Sequence, residues 1–161
     1  MQSINSVQKT LAALVWTLVL TVGLTAQAHA TDTQQPLILE SSKSFSDTVA
    51  GIKAVIKKKG LAIIFEANHQ NMIAMVGGST TPSITIGFAK PQMGQKLLSA
   101  EPLAGIEMPT RIAIRELENG KVNVIYYQPS YLFSHYNNPK LKKLGEKMDK
   151  MVGMIAKAGT H

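Results

Sequence analysis

The chain has 161 residues, no cysteine and a formal net charge of +7 at pH 7. Without cysteine there is no disulfide framework, no thiol chemistry and no lipid attachment through sulfur. A basic balance points to nucleic acid, anionic lipid head groups, anionic polymers or an acidic protein, and the N-terminal export signal argues against the first.

That signal occupies residues 1–30. Lys9 is the only charge ahead of an apolar run over residues 11–24, and small residues follow at Ala26, Ala28 and Ala30. A positive start, a short apolar core and an A-x-A end describe a secretory signal peptide. The run is shorter than the roughly 20 residues a membrane-spanning helix needs. Cleavage is expected after Ala30, with cleavage after Ala28 or an uncleaved anchor as alternatives. Residues 31–161 then form one domain, exported to the periplasm or secreted, without stable membrane insertion and long enough to bury its own core.

Leu37-Ile38-Leu39 opens the first predicted strand. Ser44-Phe45-Ser46-Asp47 fits a helix-starting capping box, and Phe45, Val49, Ile52 and Ile56 follow at helical spacing. Lys57-Lys58-Lys59 suits the negative end of the helix dipole, and Gly60 supplies a left-handed stop. Residues 61–65 read as a buried strand that Glu66-Ala67-Asn68-His69 breaks. A short helix is expected over residues 69–76, stopped by Gly77-Gly78.

Ile84, Ile86 and Phe88 alternate with Thr85 and Gly87, the pattern of a half-buried strand. Pro91 suits the first turn of a helix that ends before Pro102, and a linker through Met108-Pro109 leads to Ile112 and Ile114. Residues 111–117 and 122–127 form a hairpin around Asn119-Gly120. Asn138-Pro139 starts a last helix to about residue 158, with Leu141, Leu144, Met148, Met151, Val152 and Ile155 inward and its lysines outward. The predicted fold is α+β, a largely antiparallel five-stranded sheet with the helices collected on one side.

The motifs, in this order, resemble the family called domain of unknown function 302. They are Ser44-Phe45, Gly60, Asn68-His69, Gly87-Phe88-Ala89-Lys90-Pro91 with Gly94, residues 105–111 (GIEMPTR) and residues 126–132 (YYQPSYL). The resemblance implies a β-α-β4-α arrangement similar to TATA-binding-protein-like domains, and it implies no activity. Asn68 stands where the family has an acid, and Ala89-Lys90 where it has Gly-Asn.

The candidate binding residues are His69, Glu107, Arg111 and either Tyr126 or Tyr127. An imidazole near neutrality can act as ligand or base, and an arginine can grip a carboxylate or phosphate bidentately. The bland alternatives are a histidine tying down a strand end and a Glu107–Arg111 ion pair. Tyr126 and Tyr127 face opposite sides of their strand, so only one can join any single pocket. With Tyr131, His135 and Tyr136 they also suit a subunit interface.

These residues read as a non-enzymatic binding module for a small polar or anionic ligand or a protein partner, with a homodimer as one assembly and no cofactor. The alternative is a hydrolase or isomerase with His69 as base and Glu107 as acid, both within reach of one substrate atom. A third reading is copper(I) binding through Met148, Met151 and Met154, with the similarly spaced His69, Met72 and Met75. Against it, Met148 and Met151 fall on the apolar stripe of the last helix.

Overall fold

The computed structural model describes residues 34–161, and the predicted signal peptide lies outside them. In chain order the elements are β1 (Leu37–Ser41), α1 (Phe45–Lys58), β2 (Ala62–Asn68), α2 (His69–Ala74), β3 (Ser83–Ala89), α3 (Pro91–Ala100), a 3-10 helix (Pro102–Glu107), β4 (Thr110–Glu116), β5 (Val122–Tyr126), α4 (Pro129–Ser134) and α5 (Pro139–Thr160). The strands form one antiparallel sheet in the order β1-β5-β4-β3-β2. Among the described residues no helix is long and apolar enough to cross a membrane.

Local chemistry accounts for the helix ends. Ser44 caps α1: its hydroxyl accepts from Asp47 N–H at 3.2 Å and donates to the Asp47 carboxylate at 2.7 Å. Gly60, at φ +66°, turns the chain out of that helix, a conformation glycine adopts without a Cβ penalty. Prolines open α3, α4 and α5, where a missing N–H costs no hydrogen bond.

The core lies between one sheet face and the helices α1 and α5. Ile84, Ile86, Phe88, Ile112, Ile114, Val122 and Val124 of the sheet meet Ile52, Ile56, Val152 and Ile155 of the helices. Each such side chain contributes about 1.5–3 kcal/mol on burial. A second, smaller core joins α3, the 3-10 helix, α4 and the first half of α5 through Leu97, Ala104, Phe133, Leu141 and Met148. The two helices cross closely, with only 3.4 Å between a Cβ built at Gly51 and Gly159 Cα. At that end Ser42 donates its N–H (3.1 Å) and its hydroxyl (3.0 Å) to the Thr160 carbonyl.

Three expectations need correction. β2 runs on through Glu66-Ala67-Asn68, and most of it is exposed rather than buried. It is an edge strand, and a bulge between Ile63 and Phe65 turns Glu66 to the helix side, where the Lys53 ammonium meets its carboxylate at 2.7 Å. The segment after Pro102 is a 3-10 helix rather than a plain linker. After β5, Gln128-Pro129 starts α4, a helix that is not among the predicted elements, by the same first-turn proline that opens α3 and α5. In the hairpin only Gly120 has positive φ, +78°, and Asn119 does not. Gly120 N–H bonds the Leu117 carbonyl at 2.9 Å, so this is a longer turn closed by a left-handed glycine.

Candidate functional site

The second face of the sheet is lined by residues of opposite parity to the core. Register places Phe65, Gly87 and Arg111 in one row across β2, β3 and β4. The next row is Ala67, Thr85, Ala113, Ile125 and Ile38. Arg111 and Arg115 are exposed, and Ile38 remains 57% exposed. Small residues at Ala67 and Ala113 keep the centre of this face low, while Gly87 is buried. The Phe65 ring lies over Gly87 so closely that a Cβ there would collide with it.

Arg111 enters this face at the start of β4, just after the Met108-Pro109 step. Beside it is a notch of about 50 Å³ lined by Glu107, Thr110, Arg111, Tyr127, Pro129 and Leu132. The Tyr136 hydroxyl donates to Glu107 Oε1 at 3.0 Å. Burial pushes the Tyr136 phenol above its usual pKa, and the Glu107 and Glu101 carboxylates add to the shift. No ion pair joins Glu107 to Arg111, and the described ion pairs are Lys53–Glu66 and Lys121–Glu40. Glu107 is therefore engaged by a phenol, while the Arg111 guanidinium faces solvent without an acid. The Tyr127 ring stacks on Tyr131 at 6.0 Å and 24°, and Tyr131 meets His135 edge-on at 5.0 Å.

The other expected residues fall elsewhere. Tyr126 points into the core on the helix side, where burial, and secondarily the Asp149 carboxylate, raise its pKa. Tyr127 is thus the tyrosine that joins Arg111. His69 lies outside the notch, and its Nε2 shares a hydrogen bond with Thr85 Oγ1 at 2.8 Å. That bond ties the end of β2 to the neighbouring strand on the same face as Arg111. Met148 and Met151 line a cavity of about 30 Å³ under α3 with Leu61 and Phe88. Met154 is 51% exposed and receives a long contact from the Lys59 ammonium at 3.9 Å. Among the described residues, no three His, Asp or Glu side chains are grouped to hold a metal ion.

Sequence reading did not single out Phe65, Ala113 or Arg115. The signal was Arg111-x-Ala113-x-Arg115, an alternation complementary to Ile112 and Ile114 that marks the face away from the core.

The family model described as domain of unknown function DUF302 matches residues 37–158. Among solved structures, the chain is similar to the crystal structure of the uncharacterized conserved protein DUF302 from Bacillus stearothermophilus. That match has a TM-score of 0.73 at 18% identity, covering 80% of this chain and 99% of the other. At this identity the likeness concerns the fold. No curated protein matches the chain.

Proposed function

Since the chain belongs to the DUF302 family, whose description carries no activity, we propose from the site itself that it is an exported, non-enzymatic binding module for a small anionic ligand. One observation carries this: an exposed arginine without an acidic partner sits beside a stacked tyrosine pair, on a sheet face with a low centre. A guanidinium takes carboxylate or phosphate oxygens as a fork. A notch of about 50 Å³ admits only the acidic group, so the rest of the ligand lies along Tyr127 or over Ala113. His69 borders the same face as a polar contact. Nucleic acid is not the partner of an exported chain, and the ligand needs no cofactor.

The test is a thermal-shift screen of carboxylates and phosphates against the wild type, Arg111→Ala and Arg111→Lys. A ligand that stabilises the wild type should lose its effect in Arg111→Ala and keep part of it in Arg111→Lys. Equal shifts in wild type and Arg111→Ala reject the site.

A second reading, a protein partner or a second copy of the chain on this face, draws on Ile38, Phe65 and Tyr127, which are 57%, 37% and 45% exposed. Sedimentation of the wild type and Ile38→Asp separates the readings, because only a face-to-face dimer dissociates in the variant. A hydrolase or isomerase would need His69 and Glu107 at one substrate atom. That requirement meets a geometry in which His69 is bonded to Thr85 and Glu107 to Tyr136.

A further inference from the structure

A second concavity lies between α3 and α5. It is a groove of about 650 Å³ lined by Met93, Gln95, Lys96, Ser99, Ala100, Lys140, Lys143, Leu144 and Lys147. Its size falls within the roughly 300–1,000 Å³ of small-molecule sites. The notch beside Arg111 is far smaller.

The lining divides by chemistry. Met93, Ala100 and Leu144 form an apolar floor, because they are the outer margin of the second core and are only partly buried there. Four lysines rim that floor, and no acidic side chain lines the groove. Lys140, Lys143 and Lys147 recur at three and four residues, so they share one face of α5 and span about 10 Å along it. Lys96 faces them from α3. All four are exposed, and none belongs to the described ion pairs. A merely solvated lysine face needs neither a concave wall nor an apolar floor.

We propose that this groove binds a small amphiphilic anion: a compact apolar body on the floor of Met93, Ala100 and Leu144, with a phosphate, sulfate or carboxylate head held by Lys96 and the α5 lysines. The occupant is a free small molecule rather than a bilayer surface, because the apolar floor is recessed between two helices. Flexible ammonium groups act as point charges, so the head group is selected by charge more than by shape. The site is independent of the Arg111 notch and stands or falls without it.

The experiment is a calorimetric titration of the full mature chain with octyl phosphate, kept below its micelle-forming concentration. Two reference probes accompany it: inorganic pyrophosphate, which has charge without a tail, and octyl glucoside, which has a tail without charge. Arg111→Ala, which removes the anion site proposed on the sheet, should bind octyl phosphate at one saturable site. The lysine double variant, Lys143→Glu with Lys147→Glu in the Arg111→Ala background, should bind it about tenfold more weakly or worse, at an unchanged melting temperature. Both reference probes should also bind about tenfold more weakly than octyl phosphate. Undiminished binding by the double variant overturns the proposal. So does equal binding of pyrophosphate, which makes the floor irrelevant. Loss of octyl phosphate binding in Arg111→Ala moves the ligand to the sheet and overturns it too. Capture of the wild type by phosphatidylglycerol vesicles without binding of free octyl phosphate assigns the lysines to a membrane surface instead.

Discussion

Two glycines of α5, eight residues apart, should respond oppositely to alanine. Within a helix, Gly→Ala gains about 0.5–1 kcal/mol because the unfolded chain loses freedom and the helix loses none. At Gly153 that gain survives, since the new Cβ would lie 3.6 Å from the Tyr126 hydroxyl, an ordinary contact. At Gly145 the Cβ would lie 2.6 Å from Ser130 Cα and 3.0 Å from Ser130 N. Those atoms belong to the α4 backbone and cannot rotate aside. α4 is also pinned there, because Ser130 N–H donates to Asp149 Oδ1 at 2.9 Å. Overpacking costs about 1–3 kcal/mol, and loosening a hydrogen bond to a carboxylate costs up to about 1.5–3 kcal/mol more. Against a propensity gain of at most about 1 kcal/mol, Gly145→Ala should be destabilised by about 2 kcal/mol or more. Urea unfolding followed by circular dichroism measures both variants against the wild type. If Gly145→Ala is as stable as the wild type or more stable, the α4–α5 contact is looser than described and the steric argument fails.

Met148→Ala should lose about 2–4 kcal/mol of stability with no metal present, because that side chain is only 8% exposed in the second core. Lys143→Ala should stay within about 0.5 kcal/mol of the wild type. A thermally silent Met148→Ala that abolishes copper(I) binding would instead make the methionines ligands. Tyr126 has its pKa raised from 10.0, so the native state keeps its proton after the unfolded chain has lost it. Its contribution to stability is therefore complete below about pH 10 and declines as pH climbs through the raised value. Tyr126→Phe should flatten that decline in urea midpoints taken from pH 9 to 11, and an identical slope in both proteins refutes the assignment. Mass spectrometry of the chain exported by a bacterial host should find Thr31 at its N-terminus, and retention of residues 1–30 rules out cleavage after Ala30.

What was legible in the sequence was local. The Ser44 cap, the Gly60 stop and the apolar stripe of α5 are set by neighbours within a turn or two, and each stands where its spacing puts it. Period two likewise separates Tyr126 from Tyr127. Which of them faces the ligand side, however, depends on β5 pairing with β1 and β4, and no local pattern encodes that register. β2 was misread because Glu66 looks like a strand breaker. It is tolerated only because the strand is at the sheet edge and the bulge hands its carboxylate to Lys53. Glu107 and Arg111 are close in sequence, yet they do not pair, because Tyr136, distant in sequence, supplies the Glu107 partner. That the α5 lysines face outward was visible. Their groove was not, since its other wall comes from α3.

The bond between Ser42 and the Thr160 carbonyl has a kinetic side. It closes a loop of 118 residues, for which the entropy cost grows as the logarithm of length and amounts to about 4 kcal/mol. β1 shares this dependence, because its sheet partner is β5. A polypeptide passing N-terminus first through a ribosomal exit or a translocation pore therefore holds β1 without its sheet partner until residue 126 has emerged, and leaves the Ser42 latch open until residue 160 has. The sheet edge closes first, and the latch locks last.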